Sequence, residues 1–91
     1  MTPDIDALKA SGWALSEAGD ALTKRFIFKN FVQAFGWMTQ VAIMAEKANH
    51  HPDWSNVYKT VDVRLTTHDT GGLTEKDIAL AQTMDRLDTH V

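Results

Sequence analysis

From Leu22 to Phe28 polar and apolar residues alternate, with Leu22, Lys24, Phe26 and Phe28 on one side and Thr23, Arg25 and Ile27 on the other. That period of two belongs to a strand whose phenylalanine side is expected to face the core. Trp13–Leu15 and Ala21–Lys29 flank Glu17-Ala18-Gly19-Asp20, which reads as two strands joined by a short glycine-containing loop. Val57–Thr67 also alternates, with Val57, Val61, Val63 and Leu65 on one face and Tyr58, Thr60, Asp62, Arg64 and Thr66 on the other. It is expected to be one half-buried strand.

Elsewhere the period lengthens. Phe31, Phe35, Met38, Ala42 and Ala45 recur at spacings of four and three, the mark of a helix with one buried stripe. Asn30 is its expected cap. It must end before Pro52, because the residue preceding a proline is pushed toward extended geometry. Ile5 and Leu8 fit a short helix over Pro3–Ala10, with Thr2 as cap, Pro3 at the first helical position and Gly12 as the stop. Thr74-Glu75-Lys76-Asp77 resembles a capping box with Asp in the third position, so a last helix follows, its faces traced by Ile78, Ala81, Met84 or Asp85, and Leu87 or Asp88. Helix, two strands, helix, strand, helix favours an α+β sheet covered on one face by helices over a parallel βαβ array.

Ninety-one residues are expected to form a single domain spanning 1–91. A core that small is thin, so self-association as a homodimer or homotetramer is expected to help stabilise it. A net charge of −3 without a cluster of Lys and Arg argues against direct binding of nucleic acid. The absence of cysteine removes disulfides, thiolate catalysis and cysteine-based zinc sites, and it fits a reducing compartment, with the cytoplasm the default. No basic leader precedes an apolar run and no stretch nears the roughly 20 apolar residues of a membrane span, so neither export nor a membrane partner is expected.

Candidate chemistry lies with the histidines. His50-His51 precedes Pro52, and His68 follows the last strand, so all three sit at element ends. Histidine titrates near neutrality and can serve as general acid or base. Glu46 lies four residues before His50, where on a continued helix it could fix the imidazole tautomer, and Asp77 or Asp69 could do the same for His68. Adjacent histidines at a helix end also serve as ordinary caps of carbonyl groups. A metal site would need one of them, His68 and a carboxylate to converge. Trp54 suits either the core or a flat wall for a planar heterocycle.

Longer motifs narrow these options. Glu46-Lys47-Ala48-Asn49-His50-His51-Pro52-Asp53-Trp54-Ser55-Asn56-Val57-Tyr58 resembles the signature stretch of the pterin-4a-carbinolamine dehydratases. Val61-Asp62-Val63-Arg64-Leu65-Thr66-Thr67-His68-Asp69, then Gly72-Leu73-Thr74-Glu75-Lys76-Asp77, is similar to that family's strand, third histidine and helix start. Trp13, Ile27, Phe28 and Phe31–Phe35 match its aromatic-rich opening, so the resemblance runs from Leu8 to Leu87. It implies a four-stranded antiparallel sheet with three helices packed on one face, assembled as a dimer or a dimer of dimers, so either Val57–Thr67 bends into two strands or another short strand lies outside the pattern. The activity it implies is dehydration of 4a-hydroxytetrahydropterin, left by aromatic amino acid hydroxylases, to a quinonoid dihydropterin, without metal or redox cofactor. His50, His51 and His68 would be catalytic. Glu46 and Asp77 would orient the imidazoles, Trp54 would support the pterin ring, and Asn49, Pro52, Thr66, Thr67 and Asp69 would line the pocket. Some animal relatives also act as a dimerisation cofactor for a homeodomain transcription factor, so the other reading is a non-enzymatic interaction or coactivator-like protein on the same scaffold.

Overall fold

The alternating and helical segments settle into seven elements in a computed structural model that describes residues 3–67 and 71–88. They are α1 (Pro3–Ala10), β1 (Ala14–Leu15), β2 (Leu22–Ile27), α2 (Phe31–Ala48), β3 (Asp53–Val57), β4 (Thr60–Leu65) and α3 (Glu75–Leu87). The strands form one antiparallel sheet in the order β1-β2-β4-β3, with the three helices packed on one face. None of the described helices is long and apolar enough to cross a membrane. The expected cap Thr2 lies outside the described residues.

The fourth strand comes from division of the Val57–Thr67 segment. Val57–Thr67 is not one strand: it breaks at Tyr58-Lys59, a two-residue turn, and β3 extends backward from Val57 to Asp53. Tyr58 has φ 53°, the positive value that a tight hairpin loop demands at its first position and that pattern alone does not announce. The Asn56 side chain stitches the turn, donating to the carbonyls of Tyr58 (3.1 Å) and Thr60 (3.0 Å). Consequently Val61, Val63 and Leu65 are buried as expected, whereas Val57, beyond the turn, is 76% exposed.

α2 also turns a different face inward. Its buried residues are Ala34, Trp37, Val41 and Ala45, while Phe31, Phe35 and Ala42 from the expected stripe are exposed and Met38 is half-buried. The helix carries two apolar stripes, and the one with Trp37 wins. Its indole sits 4.4 Å from Phe26 and 5.1 Å from Phe28, centroid to centroid, and donates to the Met84 carbonyl at 3.1 Å. Alanines at 34 and 45 let the helix close on its neighbours. Phe31 and Phe35 pack against each other outside as a tilted pair, 5.7 Å between centroids.

Lys24, on the core side of β2, is explained by Asp85 of α3. That carboxylate accepts from Lys24 Nζ (2.8 Å), the Ser11 hydroxyl (2.8 Å) and the Trp13 indole (3.1 Å), tying α3 to β2 and the segment after α1. Lys24 Nζ also lies 4.6 Å from the Phe26 ring centroid, so its stem crosses the core edge while its charge is neutralised.

Candidate active site

The site is built where α2 stops. Asn49 takes a left-handed conformation (φ 53°, ψ 44°), which asparagine tolerates better than most residues. Its N–H bonds the Glu46 carbonyl at 3.1 Å, and the His50 N–H reaches the Ala45 carbonyl at 3.0 Å. The reversal sends the next two side chains apart: His50 is buried and His51 is exposed. Helical spacing therefore no longer governs Glu46, which pairs with His51 at 2.9 Å rather than with His50. That pair is open to solvent.

His50 points instead at Asp77, with Nε2 2.6 Å from Oδ1 and the aspartate fully buried. The capping box explains how Asp77 comes to be there. Thr74 caps α3, and its N–H donates to Asp77 Oδ2 at 3.0 Å. The short aspartate thus closes the helix end with one oxygen and leaves the other for His50. Oδ2 also accepts from the Thr67 hydroxyl at 2.6 Å. A carboxylate can only accept, so with Asp77 in that form the contact requires a proton on His50 Nε2, and in the neutral ring Nδ1 is then the acceptor. Nδ1 makes no hydrogen bond among the described residues.

The other expected site residues are distributed as follows. Pro52 and Trp54 are half-buried, and the Trp54 ring lies 6.1 Å from Trp37, so it packs against the core edge. Thr66 donates to the Asp20 carbonyl at 2.6 Å, anchoring the end of β4 to the β1–β2 loop. Asn49 is exposed at the helix stop. His68 and Asp69 lie outside the described residues. The segment containing them is closed at its base by reciprocal backbone bonds between Thr67 and Gly72, of 2.9 and 3.2 Å. No three His, Asp or Glu side chains among the described residues form a potential metal cluster.

A depression of about 540 Å³ is lined by Thr23, Arg25, Trp54, Asp62 and Arg64 among others, and neither His50 nor His51 takes part in it. There the Asp62 carboxylate hydrogen-bonds Arg25 at 2.7 Å and raises its guanidinium pKa, on an exposed pair that does not touch His50. Two contacts at the histidine site had no separate sequence signal: Thr67 to Asp77, and the Thr67–Thr74 hydroxyl pair at 2.8 Å. A hydroxyl on each side of the Gly71-Gly72 turn, one of them a cap, was the available hint.

An antiparallel sheet backed by three helices, with a buried His–Asp pair at the end of the central helix, is the arrangement to set beside known proteins. Residues 3–87 match the profile of the family Pterin 4 alpha carbinolamine dehydratase, and the chain belongs to that family. A protein from Jannaschia sp. (strain CCS1), assigned by name to the pterin-4-alpha-carbinolamine dehydratases, is 64% identical over 91% of this chain and 85% of its own length. One from Roseobacter denitrificans, assigned likewise, is 62% identical over 93% of this chain and 87% of its own. Among solved structures, a transcriptional coactivator/pterin dehydratase from Brucella melitensis superposes with a TM-score of 0.86 at 40% identity, covering 97% of this chain and 96% of that one. A pterin dehydratase-like protein described as a RuBisCO assembly factor of the alpha-carboxysome shares the fold, with a TM-score of 0.74 at 22% identity over 88% and 93% of the two chains.

Proposed function

We propose that this chain works as a one-domain enzyme that dehydrates 4a-hydroxytetrahydropterin to quinonoid dihydropterin and water, in recycling the pterin used by aromatic amino acid hydroxylation. The carrying observation is the buried His50–Asp77 pair, with Nε2 2.6 Å from Oδ1 and Nδ1 making no hydrogen bond among the described residues. In the reaction the C4a–O bond breaks, the hydroxyl leaves as water, and the N5–H electron pair ends in a C4a=N5 double bond. His50 Nδ1 receives the N5 proton. His51, held by Glu46, and His68 supply the proton that the leaving hydroxyl needs. Trp54 offers a flat surface for the pterin ring, and Asn49, Pro52, Thr66, Thr67 and Asp69 complete the surroundings. No metal or redox cofactor enters this scheme.

Self-association accompanies this reading. Phe31 (46% exposed), Val32 (77%), Phe35 (53%) and Ile43 (57%) form an apolar stripe along α2 that a second copy would cover. The same stripe supports the other reading, a coactivator-like protein that binds a partner helix there. The two are separated by following dehydration of freshly generated 4a-hydroxytetrahydropterin by ultraviolet absorbance. Acceleration over buffer by the native protein, lost in folded His50→Ala and His68→Ala, upholds the enzyme; a native rate equal to buffer leaves the interaction reading.

A further inference from the structure

We propose that Thr67 is a positioning residue that locks the His50 tautomer through Asp77, a role that rests on the dehydratase reading and differs from lining the pocket. The direction of its hydrogen bonds carries the argument. Asp77 Oδ2 can only accept, so the single hydroxyl proton of Thr67 goes to it across 2.6 Å. Thr67 Oγ1 must then accept from the Thr74 hydroxyl at 2.8 Å, and Thr74 Oγ1 accepts from the Lys76 N–H at 3.2 Å. Every proton in this chain runs one way and ends on the carboxylate that holds His50.

The helix start does not require Thr67. Asp77 Oδ2 already receives the Thr74 N–H at 3.0 Å, which completes the capping box. The hydroxyl is a second donor on the same oxygen, and it fixes the plane of the carboxylate whose other oxygen meets His50. Thr67 also makes the reciprocal backbone bonds with Gly72 that close the segment carrying His68. One residue therefore holds the Asp77 carboxylate through its side chain and Gly72 through its backbone.

The test compares native protein, Thr67→Ser and Thr67→Val by ¹⁵N NMR of the imidazoles and by steady-state dehydration. The native protein and Thr67→Ser are expected to show His50 protonated on Nε2. Thr67→Val should show a mixture with the Nδ1-protonated form, because a carboxylate no longer held in plane by the hydroxyl turns Oδ1 away from Nε2. In the same variant kcat should fall by about 10- to 100-fold, the scale of lost positioning, with KM within about threefold. Serine restores both. A Thr67→Val ring still protonated only on Nε2, or a rise in KM at unchanged kcat, overturns the proposal, the latter indicating a substrate contact instead. If the native protein does not dehydrate the pterin, the enzyme reading fails while the ring spectra still decide the role of Thr67. Should Thr67→Val not fold, Thr67→Cys, a weaker donor of similar size, is expected to give an intermediate mixture, and a native-like ring there overturns the proposal.

Discussion

Replacing Asp77 by asparagine should invert the tautomer of His50 while leaving the fold in place. Asp77 Oδ2 receives two donors, the Thr67 hydroxyl at 2.6 Å and the Thr74 N–H at 3.0 Å, so the one oxygen of an amide is pulled to that side. The amide nitrogen then faces His50 Nε2 at the position of Oδ1, 2.6 Å away in the native chain, and two donors cannot share that contact. The ring resolves the conflict by moving its proton to Nδ1, the atom that must accept from the pterin. General-base catalysis contributes about 10²- to 10⁴-fold, so kcat should drop by at least about 10²-fold. Stability should fall by only about 1–2 kcal/mol, the difference between charge-assisted and neutral hydrogen bonds at a satisfied site. Dehydration kinetics, urea unfolding and ¹⁵N NMR of His50 read the three quantities. An Asp77→Asn protein with near-native kcat and an Nε2-protonated ring would refute the reasoning, because the carboxylate would then not be setting the base.

Further outcomes follow from the same contacts. Asp85→Ala takes the carboxylate from Lys24 and from the buried Trp13 indole, at 2.8 and 3.1 Å. Because the ion pair is partly open to solvent, the loss should be about 2–3 kcal/mol in urea unfolding, below the value for a fully buried pair, and a change under about 1 kcal/mol would contradict the clamp. Asn49→Gly should be near neutral whereas Asn49→Val costs about 1–2 kcal/mol, since only the latter meets the steric penalty of a left-handed residue at φ 53°. Equal unfolding midpoints for the two would count against that stop. Phe35→Glu should lower the sedimenting mass at a given concentration while changing monomer stability by less than about 0.5 kcal/mol, and an unchanged mass would exclude the α2 stripe as the contact.

Much of this architecture could be read from residue patterns, and the failures have physical reasons. Alternation located β2 and β4, and the Thr74–Asp77 spacing located the start of α3, because period and cap chemistry are local. The helix stop before Pro52 was legible for the same reason. The break at Tyr58 was not, since a tyrosine at positive φ is tolerated only when the sheet on either side demands it. Nor could pattern choose between two apolar stripes on α2, where the decision lay with a distant acceptor, the Met84 carbonyl, for the Trp37 indole. At the end of α2 the sequence pointed to His50, His51, Glu46 and Asp77 as a group, but not to their pairing. Glu46 met His51 because the left-handed Asn49 rotated the chain, and Asp77 met His50 across 27 positions of sequence.

The central claim is that the pterin seats with N5 at His50 Nδ1, and the most direct measurement is a crystal structure of the protein with a bound dihydropterin. The account predicts N5 within about 3.2 Å of His50 Nδ1, hydrogen-bond reach for proton transfer, with His50 Nε2 still on Asp77. A pterin bound instead in the depression between Arg25 and Arg64, with His50 out of reach, would contradict it.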